Sequence, residues 1–199
     1  AWLGTVFSGH TALSLAPALK LQYIPVTRVE NMCATGIEAL RAATYAVASG
    51  VCEIALAVGV EKQKDTGWTG VQPTNVVGRS TIGTTGTEIE LSPPAMFAKL
   101  GIRYFHQHNI DPQEGKMLMA RIAEKNHYHG SMAPKAHFHN LVTVEQVMKS
   151  PIVSWPVGIL DACGVSDGAA AAIVTRADRA KEFTDNPIYI KSLAVSVGP

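Results

Sequence analysis

Val26-Thr27-Arg28-Val29-Glu30-Asn31-Met32-Cys33-Ala34-Thr35-Gly36-Ile37-Glu38-Ala39-Leu40 is the stretch on which the reading of this 199-residue sequence turns. Residues 26–32 favour an extended segment. Ala34 to Ser49 is dominated by good helix formers and is closed by Gly50 at a C-cap position. A second strand is predicted at Glu53 to Val58. Strand, helix, strand in this order describes a crossover unit of an α/β fold, with parallel pairing that leaves both sheet faces covered. The helix has only Glu38 and Arg41 as charges, while alanine stands at 34, 39, 42, 43, 46 and 48. With almost no wet face it is expected to be buried on several sides, its small side chains letting other layers approach the backbone.

Downstream, Lys62 to Ser92 is rich in Gly, Thr, Gln and Asn and includes Gly83-Thr84-Thr85-Gly86. So long a loop suits a lid, a binding loop or a subunit contact better than a plain connector. The glycine pair is no nucleotide loop, because no lysine follows it and no strand leads directly into it. Ser92-Pro93 starts a helix with Phe97, Leu100 and Tyr104 along one face. Asp111-Pro112-Gln113-Glu114 starts a second helix in a capping-box arrangement, running to about Asn126, and a short third helix follows Thr143 and stops before Pro151. Ser166-Asp167-Gly168 turns into Ala169 to Thr175, which reads as a buried strand packed under helices. Ile188 to Val197 reads as one more strand. Ala1 opens directly on apolar sequence, so both ends look internal to a longer protein, and the sequence is silent on targeting.

The formal net charge of +1 comes with acidic and basic residues mixed along the chain, which disfavours nucleic acid as a partner and suggests a small neutral or anionic ligand. No apolar run is long enough to span a bilayer. Cys33, Cys52 and Cys163 are odd in number and lack Cys-x-x-Cys spacing, which argues against a disulfide framework and a structural zinc site and fits a reducing compartment. Six histidines form the pairs His106/His108, His127/His129 and His137/His139. Alternate residues do not share a helix face and no cysteine or carboxylate stands at ligand spacing, so no metal is expected.

Cys33 lies where the extended segment meets the helix. At a helix N-terminus, backbone amides and the helix dipole favour thiolate over thiol and supply donors to a developing oxyanion, which is what acyl transfer requires. The alternative is a buried small hydrophobe, the commonest fate of an intracellular cysteine. Cys52, near a strand start, and Cys163 are read in that second way, as packing residues. Met96, on a helix, is assigned no role.

Val29 to Leu40 closely resembles the nucleophile segment of thiolases, in which small residues, glycine and an Ala-rich helix follow the cysteine. Ala55-Leu56-Ala57-Val58-Gly59-Val60-Glu61-Lys62 resembles the strand and turn after that helix in thiolases of the sterol-carrier-protein-x type. Pro94-Ala95-Met96-Phe97, Lys125-Asn126-His127 with Gly130, and Pro134-Lys135-Ala136 with Phe138 resemble the loop domain of that subgroup. Leu160-Asp161 through Asp167-Gly168-Ala169-Ala170-Ala171 resembles its return to the core.

The resemblance implies a thiolase fold: an α/β protein with a mixed sheet, buried central helices and a helical loop-domain insertion, five-layered (αβαβα) when intact. It divides the chain into an N-terminal thiolase domain at 1–61, a loop domain at 62–150, the return of the first domain at 151–186 and the start of a C-terminal domain at 187–199. The implied activity is that of an acyl-CoA acyltransferase in lipid metabolism, with Cys33 carrying the acyl group in thiolytic cleavage of a 3-ketoacyl-CoA or the reverse Claisen condensation. Acyl-CoA and CoA are then substrates, no cofactor is implied, and a homodimer is expected. Placement is expected to be cytoplasmic, or peroxisomal or mitochondrial in a eukaryote. The family's activating histidine and second cysteine have no matching motif here, so this chain alone is expected to be inactive. Two rivals share the fold: a decarboxylating condensing enzyme, and a non-catalytic acyl-CoA-binding subunit, against which the retained Cys33 argues.

Overall fold

The computed structural model describes residues 1–6, 11–66 and 93–196. Gly83 to Gly86, Ser92 and most of the loop expected from Lys62 lie outside them. The elements run β1 (Trp2–Gly4), α1 (Leu15–Ala18), β2 (Thr27–Val29), α2 (Thr35–Ala48), β3 (Ile54–Glu61), α3 (Pro93–Gln107), α4 (Pro112–Met132), α5 (Val144–Lys149), β4 (Ile152–Ser154), β5 (Val157–Gly158) and β6 (Gly168–Thr175). They divide between two compact units, Ala1–Thr66 with Ser166–Pro199, and Gly67–Val165.

The first unit holds a four-stranded mixed sheet in the order β2-β1-β3-β6. β1 pairs in parallel with both β2 and β3, and β6 runs antiparallel to β3 from Ile54 opposite Thr175 to Glu61 opposite Gly168. The crossover read from the sequence is therefore present, with β1 inserted between its two strands. α2 lays Thr35, Ala39, Ala43 and Val47 along one i, i+4 stripe. Its apolar members meet Ala55, Ala57 and Val174, small residues that bring helix and sheet close together. Leu3 and Val58 pack with Ala12 and Leu15 in a second cluster. Past the last turn of α2, Gly50 takes φ +76°, the left-handed C-cap conformation expected of it.

Within the described residues only the sheet covers α2, leaving Ile37 and Tyr45 about half exposed on its other faces. Two expectations are corrected. β6 is not buried under helices: among the described residues it pairs only with β3, and Gly168 to Ile173 are exposed while Val174 alone joins the core. Residues 188–196 form no strand; a strand needs a partner, and Ile188 is left almost fully exposed.

The second unit is helical. Asp111 caps α4 by accepting from the Gln113 and Glu114 amides at 2.8 and 3.2 Å, and α4 continues six residues past its expected end. Thr143 and Gln146 close a full capping box on α5. α3 buries Ala98 and Phe105 rather than the predicted face of Phe97, Leu100 and Tyr104, which is exposed. The reason lies in its neighbours. A Cβ on Gly115 would come within 2.6 Å of the Phe105 ring, so the missing side chain makes the seat for that ring, and Gly101 lies against Pro156. Ala120 and Ala123 of α4 pack with Val147 of α5. Lys116 of α4 is buried against Asp161, which also accepts from the Gly158 amide at 2.7 Å.

Candidate active site

Because β1, β2 and β3 are parallel, their C-terminal ends lie along one edge of the sheet, the place where open α/β sheets bind ligands. Cys33 stands at this edge. β2 stops at Val29, and Met32–Ala34 form a single 3-10 turn that leads directly into α2. The predicted extension to Met32 is thus cut short by a turn that leaves Cys33 exposed at the start of the helix. No side chain caps α2 at Ala34.

Two close approaches set this turn on the sheet. A Cβ on Gly4, at the end of β1, would lie 2.7 Å from Thr35 Cγ2, so only glycine admits the first residue of α2 there. On Gly59 of β3 a Cβ would reach 3.8 Å from Gly36 Cα. Gly4 thereby seats the helix start, while at Gly59 a side chain would make no more than ordinary contact.

Polar groups then fix the turn's shape. Met32 has φ +49°, a left-handed conformation that costs a non-glycine residue on the order of 1–3 kcal/mol and persists only where the surroundings impose it. Here the Met32 amide donates to Glu30 Oε1 at 2.8 Å. The Thr35 hydroxyl accepts from the Asn31 amide at 2.8 Å, and its one proton can reach either the Met32 carbonyl at 2.6 Å or Glu30 Oε1 at 2.9 Å. Glu30 Oε2 forms an ion pair with Arg28, whose Nε donates to the Thr5 carbonyl at 2.9 Å, past the end of β1. On the helix side, Asn31 donates to Glu38, and the hydrogen bond from Arg41 holds the Glu38 carboxyl below its usual range.

Glu61 ends β3 beside these groups. Its Oε1 accepts from the Val6 amide at 2.8 Å, while its Oε2 is buried with no hydrogen-bond partner among the described residues. Burial pushes this carboxyl up, the Val6 amide opposes that, and the charge of Glu30 adds to it while Arg28 subtracts.

The other candidates lie elsewhere. Cys52 is half-buried and packs against the α2 core, as expected. Cys163, read as a packing residue, is instead exposed; its neighbour Gly164 does the packing, with Phe138 Cζ at 2.7 Å from where a Cβ would stand. Met96 is 39% exposed on α3. His127 stacks on Phe138 and His108 lies 4.4 Å from Tyr104 between ring centres. Among the described residues no three histidine, cysteine or acidic side chains are placed to hold a metal ion.

Sequence reasoning left Arg28, Glu30, Thr35 and Glu61 without roles. A signal existed for two of them. Glutamate two residues before a turn is within reach of that turn's amide, and a charged residue closing the apolar run Ile54 to Val60 marks a strand end that something must solvate or bury.

The chain belongs to the thiolase family, its residues 4–178 matching the thiolase N-terminal domain. It is 37% identical to an acetyl-CoA acetyltransferase of Methanothermobacter thermautotrophicus, over 95% of this chain and 47% of that protein. It is 30% identical to sterol carrier protein 2 of Gallus gallus, over 98% of this chain and 36% of that protein. Among solved structures, the Ltp2-ChsH2(DUF35) aldolase superposes with a TM-score of 0.66 at 21% identity, covering 92% of this chain and 46% of that one, a likeness of fold alone. The chain thus spans about half the length of the acetyltransferase, or less of the other relatives. Among the described residues no helix is long and apolar enough to cross a membrane.

Proposed function

We propose that this chain supplies the acyl-accepting half of a thiolase-type acyl-CoA acyltransferase of lipid metabolism, with Cys33 as nucleophile. The single observation that carries the reading is the exposed Cys33 on the turn before α2, at the C-terminal ends of three parallel strands and inside the segment that resembles the thiolase nucleophile motif. Membership of the family and likeness to an acetyl-CoA acetyltransferase support it.

In the first half-reaction the Cys33 thiol gives up its proton to a base, and Sγ attacks the thioester carbonyl of an acyl-CoA. The bond from that carbonyl carbon to the CoA sulfur breaks, leaving an acyl-cysteine and a CoA thiolate that takes a proton. The start of α2, which no side chain caps, is the proposed source of donors for the developing oxyanion. In condensation the acyl group then passes to an acetyl-CoA carbanion; in cleavage Sγ instead attacks the 3-keto carbonyl of a 3-ketoacyl-CoA, the bond between its C2 and C3 breaks, the acetyl-CoA carbanion released takes a proton, and the acyl group passes to CoA. No residue of this chain is assigned as the base or as the acid–base group of that second step. Acyl-CoA and CoA are the proposed substrates, residues 62–150 the proposed loop domain over them, a homodimer the proposed assembly and the cytoplasm the proposed compartment.

The test is intact mass with peptide mapping after the full-length protein is incubated with acetyl-CoA or a longer acyl-CoA, beside a Cys33→Ser control. The expected result is one thioester adduct, confined to Cys33 and absent from the control. A Cys33 that stays unmodified and resists alkylation in the folded protein would overturn the assignment and leave a binding subunit as the better description.

A further inference from the structure

Glu30 is bonded to both halves of the cysteine turn. Its Oε1 accepts the Met32 amide, and the same oxygen lies within reach of the Thr35 hydroxyl, so one atom spans the residue before Cys33 and the first residue of α2. Its Oε2 faces Arg28, which is itself anchored on the Thr5 carbonyl. The carboxylate is held from behind by a charge and in front binds the backbone at the strained residue. Without that acceptor, nothing else among the described residues bonds the Met32 amide, and only the bonds from Thr35 to the Met32 carbonyl are left to hold φ +49°.

We infer that Glu30 is a positioning residue: by accepting the Met32 amide it fixes the left-handed Met32, and this sets the direction in which Cys33 presents its sulfur. The importance of Glu30 for acyl transfer rests on the function proposed above, whereas its hold on the turn does not. Reacting atoms must meet to within a few tenths of an ångström, and a displacement of about 1 Å costs on the order of 100-fold in rate. Glu30 touches neither substrate nor sulfur, so its effect is indirect.

Three replacements in the full-length protein separate acceptor reach from charge and from bulk. Glu30→Gln keeps an oxygen at the same distance from the backbone but loses the charge facing Arg28. Glu30→Asp keeps the charge but draws it back by one methylene. Glu30→Ala removes both. Each is read in two ways: the rate of Cys33 alkylation by iodoacetamide in the folded protein, and the rate of Cys33 acylation by acetyl-CoA. The glutamine variant is expected within about fivefold of wild type in both. The aspartate and alanine variants are expected to lose on the order of 10- to 100-fold in acylation, with an altered alkylation rate. If alanine does not fold, glutamine against aspartate still decides. Aspartate within twofold of wild type in both readouts overturns the inference, as does glutamine falling as far as aspartate, since charge rather than acceptor reach would then matter. Should wild-type Cys33 alkylate but never acylate, the proposed function fails while the alkylation series still supports or overturns the role of Glu30.

Discussion

Glu61 and Asp161 each bury one carboxylate oxygen that has no hydrogen-bond partner among the described residues, yet the two units surround them differently. In the helical unit, Asp161 is met by the full charge of Lys116, and both side chains are almost wholly buried. In the sheet unit, Glu61 is met by a backbone amide and, among the described residues, by no side-chain cation at bonding distance, and its carboxyl is pushed up mainly by burial. The difference separates two uses of polar groups inside a protein. Lys116 and Asp161 tie α4 to the turn after β5, a purely internal clip. The carboxylates of Glu30 and Glu61 stand at strand ends, where one of them shapes an exposed, reactive turn.

Breaking the clip should produce the largest effect. Lys116→Met leaves Asp161 buried without its cation, and removing one member of a buried pair costs about 3–5 kcal/mol. The expected result is loss of amide hydrogen-exchange protection in α4 and α5, with the double variant Lys116→Met/Asp161→Leu recovering much of it, because two apolar residues in place of the pair leave no charge stranded. Equal protection in wild type and Lys116→Met would mean that the helical unit does not depend on the pair.

In the sheet unit the matching break is Thr35→Val, which keeps the shape against Gly4 but deletes the hydroxyl that accepts the Asn31 amide. Leaving one part-buried donor unsatisfied costs about 1–3 kcal/mol, less than stranding a charge. Urea unfolding should show this, with faster alkylation of Cys33 as the turn loosens. A neutral result would move the weight of the turn entirely onto Glu30.

The same contrast explains what the sequence could disclose. The crossover of β2, α2 and β3, the Gly50 C-cap and the caps at Asp111 and Thr143 are all local, set by residues within a few positions of each other, and they are legible. Lys116 is not: on a helix with this mixture of residues a lysine reads as solvated, and nothing announces an aspartate 45 residues later. The packed face of α3 is not legible for a like reason, since Gly115 on the next helix, not the size of Phe97 or Leu100, decides which side is covered. At the site, the position of Cys33 at the helix start was legible from composition alone. The part played by Glu30 was not, because it depends on Met32 adopting φ +49°, which no propensity of methionine suggests.

Glu61 should give the smallest effect and the clearest sign. Its folded-state carboxyl is raised above the ordinary value of 4.5, so the folded protein holds this proton more tightly than the unfolded chain does. The stabilisation from this group is complete below pH 4.5 and is lost as pH rises through the folded-state value. Glu61→Gln removes the titration while keeping an oxygen for the Val6 amide. The stability of Glu61→Gln relative to wild type should therefore increase with pH across that window and level off above it. Glu38, Asp65 and Asp178 are shifted downward by cationic neighbours and slope the other way, but they are common to both proteins and cancel in the difference. Parallel stability curves for the two proteins would show that Glu61 is solvated as well folded as unfolded, and the contrast with Asp161 would then rest on Lys116 alone.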